Sequence, residues 1–465
     1  MQTINHLLST AANWIWGEPY FAMLLLGTGI FLTIRLGAIQ IRGFAHGLAI
    51  VSGKYDDPAH QGQLTHFQAL CAALSATIGI GNISGVAIAL YFGGPGAIFW
   101  MWISALFGMA LKYTSCTLAI KFRKIDPDGN VRGGPMYFIE LGMSKSLRPL
   151  AYMFAVCTAF AAFGCGNMAQ SNTIAHSIIE AFGIGSGSET IVRIIIGLIL
   201  AGLVALVIIG GIKRIGSVAS YLVPFMSVAY VGSALIVLAI NYDRLIPCLQ
   251  SIFFFAFNPT AAAGGFAGAG VWFTIQHGLR RGLFSNESGL GSAPMAHSTA
   301  KVEEPVREGL VAMLGPFIDT IVICTMTALV ILSTGQWGLD PNTQGVSLTM
   351  AGFQNSLGEF GRWMVVLAVL LFGYSTSLSW SYYGEKGIEY VLGTGAKRYY
   401  RWIYVLFIFL GAVLKIQAVW DFSDMANGLM AFPNLVALIG LSGVMAAMTR
   451  KYMDEKARGL HKPFR

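Results

Sequence analysis

Apolar residues along this chain come in long unbroken runs separated by short polar stretches. Runs of about 20 residues, the length that crosses the hydrocarbon core of a bilayer, fall at 19–35, 67–91, 96–121, 149–181, 190–210, 218–240, 266–290, 308–334, 362–392, 399–416 and 418–448. This pattern predicts an all-α polytopic membrane protein with eleven spans and no loop large enough to fold as a separate domain. The 335–361 stretch keeps apolar patches and predicts a short surface helix.

Composition agrees. Of the 465 residues, 55% are hydrophobic and 11% charged, against roughly 25% charged in an ordinary soluble domain. A soluble domain, a disordered chain and a disulfide scaffold are excluded. The six Cys, nearly all inside apolar runs and without a CxxC, read as buried small hydrophobes. The start lacks the basic stretch of a cleaved signal peptide, so the first span is expected to remain.

A net charge of +8 admits a nucleic-acid partner or a topological cause. With the residues before span 1 outside, 25 of the 30 Lys and Arg fall in inside loops and the tail. Four (Arg193, Arg244, Arg362, Lys415) fall outside, and Lys112 lies within a span. The asymmetry predicts an outside N-terminus and a cytoplasmic C-terminus, and it removes the nucleic-acid reading.

Two spans should not be continuous helices. Span 2 reads Ala76-Thr-Ile-Gly-Ile-Gly-Asn-Ile-Ser-Gly85. In span 7, Gly264-Gly-Phe-Ala-Gly-Ala-Gly270 leads into Gln276-His-Gly-Leu-Arg-Arg-Gly282 and Asn286-Glu-Ser-Gly289. Bare backbone cannot face lipid, so unwound segments must line a cavity or contact protein. The two lie five spans apart and therefore cross in opposite directions, a pattern that points to the midplane site of a secondary transporter built from inverted repeats. Free N–H groups at such breaks suit a carboxylate, and free carbonyls suit an ammonium or a sodium ion. The competing reading is that these Gly serve close helix packing.

Other polar positions add to this. Phe372, Ser375, Thr376 and Ser379 share one helical face of span 9, where oxygen donors suit a small hard cation; Ser and Thr bonding back to their own helix is the bland alternative. Trp380 stands one turn beyond Thr376. Gln170, in span 4, needs a partner in lipid and is expected to face the interior. Asp319 reads as a proton-coupling group or a hydrogen-bonded structural one. Lys112 is expected to snorkel inward, and His277 to be structural.

The run Gly93-Gly-Pro-Gly-Ala-Ile-Phe-Trp-Met-Trp-Ile-Ser-Ala-Leu-Phe-Gly108 resembles the signature of the alanine/glycine:cation symporter family. Gly79–Gly85 and Arg280-Arg-Gly-Leu-Phe-Ser-Asn-Glu-Ser-Gly-Leu-Gly-Ser-Ala-Pro294 resemble its other marked stretches, with Ser288 where members often carry Ala. The resemblance covers nearly the whole chain. It implies a leucine-transporter-type 5+5 inverted repeat with one extra N-terminal span: an extra span and loop over 1–66, repeats over 67–240 and 266–448, and a basic tail over 449–465. It implies sodium-coupled, less often proton-coupled, symport of alanine or glycine in the bacterial cell (inner) membrane, with no cofactor besides the coupling ion. Thr77, Gly79, Gly81, Asn82, Gln170, Phe273, Thr376 and Trp380 would surround the substrate. The carbonyls of Ser75, Ile78 and Phe372 with the hydroxyls of Ser375 and Thr376 would hold sodium. An intramembrane enzyme lacks its motifs here, there being no HExxH and no GxSxG, and an ion channel lacks a filter repeat or charged ring.

Overall fold

Long apolar helices dominate a computed structural model that describes residues 19–258, 270–339, 343–414 and 417–464. The residues before span 1, positions 264–269 of the span 7 glycine run, Lys415 and Arg465 lie outside the described residues. The helices that position the site are α1 (Pro19–Arg35), α2 (His66–Thr77), α3 (Gly81–Gly93), α4 (Gly96–Lys121), α5 (Lys145–Phe182), α6 (Ser186–Ile208), α7 (Gly211–Ile240) and α8 (Leu245–Phe257). Then follow α9 (Val271–Asn286), α10 (Ala293–His297), α11 (Pro305–Ser333), α12 (Val346–Leu357), α13 (Glu359–Leu392), α14 (Ala396–Val413), α15 (Gln417–Gly440) and α16 (Ser442–Ala457). One two-stranded hairpin, β1 (Lys124–Ile125) with β2 (Val131–Arg132), follows α4.

Among the described residues six helices are long and apolar enough to cross a membrane, and the bent pairs α2/α3 and α15/α16 raise this to eight. The chain is an all-α polytopic membrane protein. Its outer faces are apolar: Ile195, Leu198 and Leu206 on α6 and Phe225 and Val228 on α7 are exposed. Its interior instead collects the polar side chains, among them Asn82, Lys112, Asn167, Asn286, Asp319 and Ser375. That inversion is what a lipid solvent selects, since an apolar flank costs nothing there and a polar one must find partners.

Glycines let the central helix α4 be approached closely. A Cβ on Gly282 would run into Ser104, one on Gly278 into the Ala97 carbonyl, and one on Gly108 would sit 2.6 Å from Ser288 Oγ. The Gln276–Gly282 stretch expected to weaken span 7 is therefore intact helix. Its two glycines face α4, so the helical cost of Gly is offset by packing. The 335–361 region does hold a helix, α12, which buries Val346, Leu348, Met350 and Phe353.

Candidate site at two helix breaks

α2 stops at Thr77, and Ile78 turns to extended backbone (φ −74°, ψ 90°) before the chain restarts as a π-helical turn at Gly81–Gly85. The two halves meet at 54°. Glycine is required here by space: a Cβ on Gly79 would lie 2.6 Å from Thr376 Oγ1. Side chains satisfy the freed backbone, as burial demands. Gly79 N–H donates to Asn82 Oδ1 at 2.9 Å and Ile80 N–H to Gln170 Oε1 at 3.4 Å. The hydroxyls of Thr327 and Thr349 donate to the carbonyls of Asn82 and Ile83 at 2.8 and 3.0 Å. Gln170 follows a second π-helical turn, Gly164–Met168, and donates back to Cys165 O at 2.9 Å. Among the described residues, the Thr77 hydroxyl bonds to its own helix, at Ala73 O and Leu74 O.

α13 brings its hydroxyl face to this break. Ser375 Oγ lies 2.9 Å from Phe372 O and 3.3 Å from Ser75 O, and Thr376 Oγ1 lies 3.4 Å from Ile78 O. Three carbonyls and two hydroxyls thus converge in one buried place with no carboxylate among them, a donor set of the hard-oxygen kind.

The second break follows α9. Glu287 adopts the left-handed region (φ 54°), and Gly289 and Gly291 follow at φ 87° and 89°. Only Gly takes such angles without strain, and added Cβ atoms there would meet Leu25 at 2.5 Å and Phe154 at 2.8 Å. Glu287, buried, accepts from Trp380 Nε1 at 2.8 Å and from Ser292 Oγ at 2.5 Å. Asp319, on a π-helical stretch of α11 (Phe317–Cys324), ties the two breaks together. It accepts from Asn82 Nδ2 at 2.6 Å, Ser285 Oγ at 2.9 Å and Thr320 Oγ1 at 2.7 Å.

Two expectations change. Lys112 does not snorkel; it is buried, with its ammonium in the field of Glu287 and Asp319. Opposite charges from two other helices replace water as its solvent. Phe273 is not brought to either break: it lies in the first turn of α9, about 20 Å along the axis from Asn286, with its ring 4.4 Å from that of His277. The aromatic that faces Gly81 from α9 is Phe284, 3.5 Å from where a Cβ would stand. His277 stacks on Phe92 and packs at a tilt against Phe273, in keeping with a structural role.

Sequence reasoning missed the closure at the end of the bundle that carries the basic loops. Buried Glu308 faces Nδ1 of both His66 and His297, joining the starts of α2 and α11 to the end of α10. Leu64 pairs with Ala300, with Gln63 N–H to Thr299 O at 2.7 Å and Lys301 N–H to Leu64 O at 2.8 Å. Arg123 donates to the carbonyls of Gln61, Ser298, Ala300 and Val302. No local pattern announces these contacts, since the partners are up to 242 residues apart.

Comparison with known proteins fits this geometry. The chain aligns over residues 1–465 with the model of the sodium:alanine symporter family. It is 46% identical over 452 residues to the sodium/alanine symporter AgcS of Methanococcus maripaludis, covering 96% of this chain and 97% of that one. It is 36% identical to the probable sodium/glutamine symporter GlnT of Bacillus subtilis, over 98% and 92% of the two chains. The crystal structure of MhsT in complex with L-phenylalanine shares the fold, with a TM-score of 0.59 at 12% identity over 82% of this chain and 90% of that one. Aligned over its whole length, the chain belongs to the sodium:alanine symporter family.

Proposed function

We propose that this secondary transporter of small amino acids imports alanine and glycine with sodium by alternating access. The observation that carries the reading is the convergence of the Ser75, Ile78 and Phe372 carbonyls with the Ser375 and Thr376 hydroxyls at the first break. Relatives named for sodium with alanine and for sodium with glutamine support sodium as the shared coupling ion.

In this reading sodium bridges α2 and α13 and stabilises the broken helix. The substrate carboxylate takes the N–H groups of the Gly79–Gly81 turn, which Asn82 and Gln170 hold meanwhile. Thr376 and Trp380 bound the side-chain space, and Phe284 takes the place expected for Phe273. The repeats are 67–240 and 266–448, related by inversion, after an extra span and loop over 1–66 and before the tail 449–465. This makes eleven spans, counting the shorter α1, α9 and α14. The N-terminus is outside the bacterial inner membrane and the C-terminus is cytoplasmic, which puts the His66–Glu308–His297 closure on the cytoplasmic side.

Proton coupling is the second reading, favoured by Asp319, whose carboxylate accepts from the neutral donors of Asn82, Ser285 and Thr320 while the Lys112 ammonium acts on it from α4. Counterflow of labelled alanine in proteoliposomes tests the carrier mechanism. Trans-alanine should drive labelled alanine inward only with sodium on both sides. Counterflow that ignores sodium but follows pH would select the proton.

A further inference from the structure

Among the described residues only two non-glycine residues have positive φ, Ala38 and Glu287. Ala38 sits half-buried in the bend that leads into the short helix Ile39–Arg42, but Glu287 is buried at the second helix break, between two stretches of helix and just ahead of two glycines that take such angles freely. A side chain held in a costly conformation where glycine would fit points to a task for that side chain. The task is visible in its contacts. One carboxylate oxygen accepts the Trp380 indole N–H at 2.8 Å, and the other accepts Ser292 Oγ at 2.5 Å, at the start of α10. Trp380 is fully buried, and its ring lies directly on Gly166, where any Cβ would collide with it. The indole is thus pinned from two sides, by a charge-assisted hydrogen bond and by a gap that only glycine leaves.

We propose that Glu287 is the positioning residue that sets the upper size limit for substrate, by anchoring Trp380 to the second break. This rests on the reading that Trp380 walls the substrate space. Because Glu287 also binds Ser292 across the break, a rearrangement of the break moves the indole with it, so the wall is tied to the moving part of the transporter. Gly166 completes the device by leaving room for the Trp380 side chain against α5, where any Cβ would collide with its Cβ and Cγ.

The test is competition by leucine against labelled alanine uptake in proteoliposomes, with the Trp380→Ala, Trp380→Phe, Glu287→Ala and Glu287→Gln variants. Losing a hydrogen bond to a charged group should free the ring enough to tighten leucine inhibition about ten-fold relative to alanine. Glu287→Ala and Trp380→Phe should broaden selectivity alike and without additivity, because each removes the same bond. Glu287→Gln keeps an acceptor and should restore most of the discrimination, which a merely structural role of the charge would not. Should Glu287→Ala fail to assemble, Trp380→Phe against Glu287→Gln still decides. If Trp380→Ala leaves leucine excluded, the wall reading fails. If Trp380→Ala admits leucine while Trp380→Phe and Glu287→Ala do not, the wall stands and the Glu287 inference is overturned.

Discussion

Ser75 and Ser375, 300 residues apart, exchange hydrogen bonds: Ser75 Oγ donates to the Ser375 carbonyl at 2.7 Å, and Ser375 Oγ to the Ser75 carbonyl at 3.3 Å. The broken span and α13 are clasped at the place proposed for sodium. Removing the Ser375 hydroxyl takes one ligand from that place. Ser375→Ala should raise the sodium concentration for half-maximal uptake about ten-fold. By linkage, alanine affinity should fall at low sodium and recover at saturating sodium. Alanine affinity reduced equally at every sodium concentration would place the hydroxyl on the substrate instead.

Two glycines of span 2 should respond oppositely to alanine. At Gly79 the new methyl would meet Thr376 Oγ1 at 2.6 Å, whereas at Gly85 nothing lies within 4 Å. Gly79→Ala should cost about 1–3 kcal/mol of local packing and abolish uptake. Gly85→Ala should leave uptake near wild type and raise stability by up to about 1 kcal/mol. Uptake and thermal unfolding of the two variants check this, and equal tolerance would contradict the close approach of α13.

Breaking the closure around Glu308 should expose that end of the bundle. Glu308→Ala leaves two buried imidazoles without their shared acceptor, a loss on the order of 3 kcal/mol. Hydrogen exchange should then speed up at 61–66 and 297–302, where Leu64 pairs with Ala300, and remain slow in α13. Unchanged protection at 61–66 would show that Arg123 holds the closure alone.

Acid should loosen the same end of the molecule. His46, in the short helix Phe44–Ala49, is buried with Nε2 2.8 Å from Tyr452 OH. Burial, then the charges of Lys456, Arg307 and His461, lower its pKa from 6.5 to about 4. The unfolded chain binds this proton more readily, so stability is complete above pH 6.5 and drains away as pH falls toward about 4. Near pH 5.5 the loss is about 1 kcal/mol. Thermal midpoints in detergent at about pH 7.5 and 5.5 should diverge in the wild type and converge in His46→Gln; parallel behaviour would refute the assignment.

The parts of the site legible in sequence were those carried by local pattern. Gly79-Ile-Gly81 marks a break because no helix-favouring residue bridges it, and the spacing of Phe372, Ser375 and Thr376 puts their oxygens on one face whatever the partner. Gly278 and Gly282 misled, because a glycine that lets two helices touch is written like one that ends a helix. Lys112 misled because its counter-charges, Glu287 and Asp319, come from helices far along the chain. Phe273, implied at the site only by family resemblance, stands in the first turn of α9, which runs unbroken to Asn286 and holds it away from the second break. The His66–Glu308–His297 closure had no signal at all, since a single His or Glu acquires meaning only when the fold joins distant segments.

The most direct measurement is uptake of labelled alanine into proteoliposomes under an inward sodium gradient, compared with equal sodium on both sides and with an acid-outside gradient lacking sodium. Accumulation above equilibrium under the sodium gradient alone, lost in Thr376→Ala, is the expected result. Equal uptake with and without the sodium gradient, or accumulation driven by the proton gradient alone, would contradict sodium coupling at the first helix break.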